Sequence, residues 1–397
     1  MHTPKEAQGL RTLQVVGGLN RAGVETWLVE ALPYLSQEHI TADFVVHHSG
    51  PWDYDRNARR AGSQVLVCQA GNPLNYVRQF RRLLKIHGPY DIVHTHIQNF
   101  GAVPLLAAAI SGVPLRLFHS HLDMSPVTGV STLPRQAYEA TTRLLVMSAA
   151  TGGFAVSEAA RVHAFGKRDA DPSWPILPPG VSFARFSNPR ARAAVRRELG
   201  LSDEDFVLVN IGRLEQQKNH VKLLQIVEAA QSLWPRLACL IVGRGALRVR
   251  LEDQADQLGV SDRIRFLGVR DDVPDLLAAS DVFVFPSIRE GLGLAAIEAQ
   301  AAGLPVVLSD GVPEEAIVVE GLVVRRRLTD PVTAWVEGID AARHQARSVS
   351  REEALDRVAA SAFSIESSVR ALAEAYRGSA AALYTNRRDH LDRPTCK

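Results

Sequence analysis

The strongest constraint on this chain is a repeated rhythm. Short runs rich in β-branched and aromatic residues alternate with longer helical patterns. Six runs fall in the first half: LQVVGG (13–18), DFVVHH (43–48), QVLVC (64–68), DIVHTH (91–96), LRLFHSH (115–121) and GGFAVS (152–157). Five follow later: FVLVNIG (206–212), ACLIVG (238–243), IRFLG (264–268), VFVFP (282–286) and PVVLS (305–309). Strands that read apolar throughout need cover on both faces, and strand–helix alternation implies a parallel sheet. Two such series predict an α/β chain of two doubly wound domains. They part between Pro175 and about Phe206, where PILPPG gives way to SNPRARAAVRRELG and the acidic SDED. The expected division is therefore 1–186, 187–378 and a polar tail over 379–397. The last periodic helix, SIESSVRALAEAYRG, is expected to end at Gly378 and the tail to be mobile.

Composition narrows the class. The 397 residues are 46% hydrophobic and 22% charged, which is globular, with enough chain for two cores. A net charge of +2 is too mild for a nucleic-acid-binding surface. Cys68, Cys239 and Cys396 lie far apart and form no CxxC, which points to a reducing compartment and no structural zinc. MHTPKEAQGLRTLQVVGG has no long apolar stretch, and no run approaches eighteen apolar residues. The sequence thus predicts neither a signal peptide nor a membrane span, and a cytoplasmic location.

In open parallel sheets, ligands bind beyond the carboxyl ends of the strands. After the first strand, Gly17, Gly18 and Gly23 form GGxxxxG rather than the GxGxxG dinucleotide fingerprint. Such a turn can bring backbone N–H groups to an anion, or simply be tight. After the run 206–212, Arg213 and Lys218 suit a diphosphate; the alternative is two solvated surface charges. Gly243 and Gly245 give GxG without a third glycine, which argues against a nicotinamide enzyme. The stretch REGLGLAAIE then sets Glu290 and Glu298 on either side of seven residues that include Gly291, Leu292, Gly293 and Leu294. A helix starting at Leu294 offers its N-terminus to phosphate. Glu298 has the reach to accept from a ribose diol, and Glu290 faces whatever the phosphate carries. A nucleotide sugar fits both acids; an ordinary amphipathic helix is the alternative.

These motifs resemble the retaining glycosyltransferases of family 4, which have the GT-B fold of two Rossmann-like domains facing across a cleft. The carriers are GRLEQQKN (212–219), VGRGALR (242–248), the EX7E pattern at 290–298 and GLPVVLSD (303–310). In the N-terminal half VVGGLNRAGVETWLV (15–29), DIVHTHIQNFG (91–101), FHSHLD (118–123), FAVSEAAR (154–161) and PGVSFARF (179–186) are similar to bacterial exopolysaccharide and capsule enzymes. The likeness runs to about Arg377. It implies an N-terminal acceptor domain and a C-terminal nucleotide-sugar domain. It also implies that Arg213 and Lys218 hold the donor diphosphate and that Glu298 binds the ribose. Glu290 then sits by the transferred sugar, with the backbone of Gly291 to Leu294 near sugar and phosphate. Gly18 and Gly23 serve the first loop, Gly243 the donor side and Arg270 the nucleobase, while His119 lies by the sugar ring. Leu292 stands where members often carry an aromatic residue, Ala22 replaces the second glycine of an RGG turn, and Pro179 replaces an asparagine.

Three other features bear on chemistry. His94 with His96, and His119 with His121, are two HxH pairs, each able to share one strand face. A two-histidine metal site is conceivable there, but the sequence shows no third ligand, so no metal or other cofactor is expected. Asp169 and Asp171 form a DxD whose preceding AFGKR is not an apolar strand, so it reads as a surface loop. Finally, PLNYVRQFRRLLKIHG sets Arg78, Arg81, Arg82 and Lys85 on one side of a helix over 74–87. That is either an ordinary sheet-covering helix or a dock for an anionic membrane. The expected reaction is transfer of a hexose-type sugar, from a donor read as UDP-linked, to a glycan or lipid-linked acceptor. Hinging is expected over Pro175–Ser187. A GT-B epimerase or phosphorylase and a non-catalytic nucleotide-sugar sensor remain as alternatives.

Overall fold

A computed structural model describes residues 9–121, 133–165, 174–345 and 349–391. The chain divides into two compact units, Met1–Gly180 with Ile365–Lys397, and Val181–Ser364. The first boundary lies within a few residues of the expected one. The last does not: the final helix joins the first unit. That helix runs Ile365–Leu391, so it continues past Gly378 through thirteen residues that were read as tail. Gly378 has open space around it and no left-handed backbone, so nothing stops the helix there. Residues 392–397, the Asp169–Asp171 pair and residues 122–132 lie outside the described residues.

The first unit holds β1 (Leu10–Val15), β2 (Ile40–Val46), β3 (Val65–Val67), β4 (Ile92–Thr95), β5 (Leu115–Ser120) and β6 (Gly152–Ala155). The second holds β7 (Phe206–Ile211), β8 (Leu237–Val242), β9 (Ile264–Gly268), β10 (Val282–Phe285), β11 (Val306–Ser309) and β12 (Val323–Arg326). All their pairings are parallel. The orders are β3-β2-β1-β4-β5-β6 and β12-β11-β10-β7-β8-β9. Counted from its own first strand, each sheet has the 3-2-1-4-5-6 order of the Rossmann fold. Each therefore reverses direction once, between β1 and β4 and between β7 and β10. A crevice opens at that point beyond the carboxyl ends. All eleven predicted strands are present. The twelfth, VVRR, was missed: it is a half-buried edge strand and reads as a charged segment.

Period-2 alternation explains the double burial. Leu13 and Val15 pack with Val45, Val93, Tyr76 and Phe80 on one face of the first sheet. On the other, Phe44, Ile92, Leu115 and Leu117 pack with Val369, Leu372 and Tyr376 of the Ile365–Leu391 helix. That helix completes the first unit because its apolar stripe joins Trp27, Leu28, Leu32 and Leu35 of the N-terminal helices in covering this sheet face. In the second unit Leu208, Ile241, Val284 and Val307 meet Leu223, Val227 and Trp335.

The segment entering the second unit is fixed by Arg196, which is 1% exposed on the helix Arg192–Glu198. It donates to the carbonyls of Ala279, Ser202 and Asp205 at 2.9, 2.8 and 2.9 Å and to the Asp281 carboxylate at 2.8 Å. Asp281 in turn accepts from the β7 amide of Val207 at 2.7 Å.

Candidate functional site

The second unit's reversal point brings the predicted donor residues together. Lys218 follows β7 and Glu290 follows β10, the two strands that flank it. Their side chains meet as an ion pair, Lys218 Nζ to Glu290 Oε1 at 2.7 Å, with side-chain exposures of 16% and 7%. The ammonium also lies 4.8 Å from the centre of the Phe285 ring, a cation–π contact that fixes its direction.

Backbone and amide bonds sew the two turns together. Ile288 N–H donates to the Gln217 carbonyl at 2.8 Å. The Gln217 and Asn219 amides donate to the carbonyls of Arg289 and Pro286 at 2.7 and 3.1 Å. Asn219 can do this because it sits in the left-handed region, φ 53°, just before the helix His220–Ala230. Asparagine is among the few non-glycine residues that tolerate that conformation. Gln217 and Asn219 are parts of the site that sequence reasoning missed; asparagine directly before a helix was the available signal.

Glycines close the rest of the turn. Gly293 caps the helix Leu294–Ala301 at φ 92°, and a β-carbon there would lie 3.1 Å from Val312. No side chain caps this helix, so its first N–H groups have no capping acceptor. Gly291 and Leu292 are buried beside it, Leu294 is half-buried, and the Glu290 amide is tied to the Gly311 carbonyl at 3.0 Å. Glu298 is half-buried on the second turn. Gly243, at φ 140°, approaches so closely that a β-carbon would lie 2.0 Å from the Gly212 carbonyl oxygen. This glycine lets the β8 turn press on the Gly212–Arg213 turn.

Two predicted donor residues are placed differently. Arg213 is exposed and pairs with Glu215 at 2.9 Å, a rim pair of small energetic weight. Arg270 is held by Asp272 through two nitrogens, at 2.7 and 2.6 Å, and by Glu198 at 3.1 Å. Those carboxylates raise its pKa, Asp272 first. In this arrangement Arg270 serves an ion-pair network with Arg190 rather than reaching for a base.

His220, next to the site, is 2% exposed, and burial, then the charge of Lys218, lowers its pKa to about 4. His47 in the first unit is lowered to about 4 as well, by burial first. Both stay neutral in the fold while an unfolded chain protonates them near pH 6.5. Stability is therefore complete above about pH 6.5 and falls as pH drops toward 4, by roughly 1 kcal/mol per pH unit for each histidine. Melting temperature measured across this window should decline steeply, and less so in His220→Gln.

The first unit's reversal point carries Gly18, Gly23 and the histidines. A β-carbon at Gly18 would lie 2.4 Å from the Trp52 ring, so packing alone requires this glycine. Gly23 is exposed and opens the helix Gly23–Glu30. The resemblance sets His119 by the sugar; the structure encloses its ring, 0% exposed, with Nε2 2.9 Å from the Leu177 carbonyl. Its neighbours are Trp27, His94, His96, His121 and Phe154, all of its own unit. The two HxH pairs, separate in sequence, are thus one cluster.

Comparison with known proteins fits this geometry. Residues 7–180 match the family model "Glycosyl transferase 4-like domain" and residues 191–355 match "Glycosyl transferases group 1". The chain is 30% identical to the putative glycosyltransferase EpsF of Bacillus subtilis, over 92% of this chain and 96% of that one. It is 29% identical to the Escherichia coli UDP-Gal:α-D-GlcNAc-diphosphoundecaprenol α-1,3-galactosyltransferase, over 73% and 76%. Anabaena Alr3699/HepE, solved with UDP and glucose, superposes at a TM-score of 0.77 with 19% identity, over 93% of this chain and all of that one. Two sheets of one Rossmann order, the two family matches in register with them and near full-length likeness to EpsF together make this chain a family 4 glycosyltransferase of the GT-B type.

Proposed function

We propose that this glycosyltransferase moves a hexose-type sugar from a UDP-linked donor to a hydroxyl of a glycan or lipid-linked saccharide, in exopolysaccharide or capsule synthesis, retaining the anomeric configuration. The observation that carries the reading is the Lys218–Glu290 pair at the second sheet's reversal point. An incoming pyrophosphate competes for the ammonium. As Lys218 turns to phosphate, the Glu290 oxygens become acceptors for sugar hydroxyls. The Leu294–Ala301 helix N-terminus adds uncapped N–H donors for the same phosphates. Glu298, one turn further, takes the ribose diol, and Arg213 swings from its exposed partner to the leaving group.

Fixed positive charge and backbone donors then stabilise the departing diphosphate without a bound ion at that place. No carboxylate is assigned as a nucleophile on the far face, so departure and attack take place on one face of the sugar, with the leaving phosphate accepting the acceptor proton. The names of the Escherichia coli galactosyltransferase and of the HepE complex with UDP and glucose support a uridine donor, and the former a lipid-linked saccharide acceptor. A thermal-shift panel of UDP-, GDP-, ADP- and dTDP-sugars tests the donor: UDP-sugars should raise the midpoint, and Glu298→Ala should lose the rise. Equal shifts from all four nucleotides would overturn it.

The acceptor reading includes a membrane surface. Arg78, Arg81, Arg82 and Lys85 all face outward on the helix Pro73–His87, while Tyr76, Phe80 and Leu84 are buried. Leu74 and Ile86, 71% and 60% exposed, flank that basic face. Among the described residues no helix is long and apolar enough to cross a membrane. Each basic residue near an anionic surface contributes on the order of 1 kcal/mol. Pelleting with anionic vesicles should fall sharply when all four are changed to glutamine; unchanged pelleting removes the idea.

A further inference from the structure

The histidine cluster of the first unit has chemistry that the donor grip does not use. His94 and His119 are wholly buried, His121 is 8% exposed and His96 is half-buried. One ring nitrogen from each of His94, His96 and His119 lies within 4.8 Å of the other two. The partners on the far side of each ring decide which nitrogen faces inward. The Leu177 carbonyl can only accept, so His119 Nε2 carries the proton and Nδ1 a lone pair. That Nδ1 is buried without a hydrogen-bond partner. The Gln14 amide oxygen, 2.9 Å from His96 Nε2, likewise leaves His96 Nδ1 as an acceptor; its lone pair takes a hydrogen bond from His121 Nε2 at 2.9 Å, which an ion on Nδ1 would replace. His94 Nδ1 is 2.7 Å from the Tyr376 hydroxyl, and its Nε2 is buried and unpartnered. That hydroxyl also accepts from Gln14 Nε2 at 3.2 Å; when it accepts from His94 Nδ1–H as well and turns its own proton away, Nε2 holds a lone pair. The pattern of one ring nitrogen turned inward, with the other bonded to a carbonyl, amide or hydroxyl, is how proteins orient histidines on a metal.

We propose that His94, His96 and His119 bind one divalent transition ion of the zinc class, oriented from behind by Tyr376, Gln14 and the Leu177 carbonyl. An all-imidazole set selects zinc, cobalt, nickel or copper over magnesium or calcium. Four-coordinate zinc at 2.0–2.1 Å sets ligand nitrogens about 3.3 Å apart, so the rings close inward slightly. The fourth position goes to water, or after a ring turn to His121, whose Nδ1 is also unpartnered. The ion ties the ends of β4 and β5 to the Ile365–Leu391 helix through Tyr376. It lies in the first unit and is independent of the pyrophosphate grip assigned to the second.

Tag-free full-length protein, stripped with a chelator and titrated with Co²⁺, should take up one equivalent and show the visible bands of four-coordinate cobalt. Zn²⁺ should displace the cobalt and raise the melting temperature, and Mg²⁺ should do neither. His94→Ala and His119→Ala should bind at least about a hundredfold more weakly, and Tyr376→Phe about ten- to a hundredfold more weakly. No stoichiometric uptake by the wild type, equal competition by Mg²⁺, or full affinity in a folded alanine variant would overturn the site. If circular dichroism shows the variants unfolded, X-ray absorption of the zinc-loaded wild type decides: three or four imidazoles support the site, and two or fewer sink it.

Discussion

Lys218→Ala should lower nucleoside diphosphate release from the donor by about a hundredfold to a thousandfold, the range for removing one preorganised group that stabilises a developing anion. The fall should lie mainly in kcat, because charge on the leaving diphosphate grows as the glycosidic bond breaks, and less in KM. The variant also strands Glu290, whose carboxylate is 7% exposed and paired at 2.7 Å in the parent. Breaking a buried pair by removing one partner destabilises more than removing both. Lys218→Met combined with Glu290→Gln should therefore melt above Lys218→Ala while remaining as inactive. Release measured with a lipid-linked acceptor, beside melting curves, separates the two effects. A kcat within threefold of the parent in folded Lys218→Ala would remove Lys218 from the chemistry.

Arg196→Met should be the most damaging change away from the site. The guanidinium bonds four carbonyls and one carboxylate while 1% exposed. Methionine fills much of the volume and satisfies none of them. Losing a buried charged hub of this kind costs about 3–5 kcal/mol. For a unit of this size each kcal/mol moves the melting temperature by about 2–4 °C, so a fall of roughly 10 °C is expected by calorimetry. Arg192→Met is the control. Its side chain is 40% exposed, and although it also reaches Asp281, the fall should be much smaller.

What could be read from the sequence follows from how local each signal is. Apolar runs announced eleven strands because strands covered on both faces need no distant information to be recognised. That Lys218 and Glu290 come to one point was legible because they follow β7 and β10, the strands that flank the reversal point. Tyr376 was not legible: it meets His94 across 282 positions, and nothing near either residue announces the other. The same distance hid the ownership of the last helix, whose apolar stripe says that it covers a sheet but not which one. Arg270 was assigned by position in a motif. Asp272, two residues on, claims its guanidinium, and only coordinates show that competition. Gly18 matched a phosphate-loop pattern, yet the Trp52 ring already accounts for it.

The return of the final helix has a bearing on biosynthesis. Val181 and Ser364 lie side by side, with the Val181 amide on the Phe363 carbonyl at 2.8 Å, so the second unit begins and ends at one spot, like a loop inserted in its host. A ribosome therefore emits the whole inserted unit before the helix that completes the first sheet's cover exists. The half translated first is the half that finishes last, and until then this sheet face lacks the part of its cover that Val369, Leu372 and Tyr376 supply.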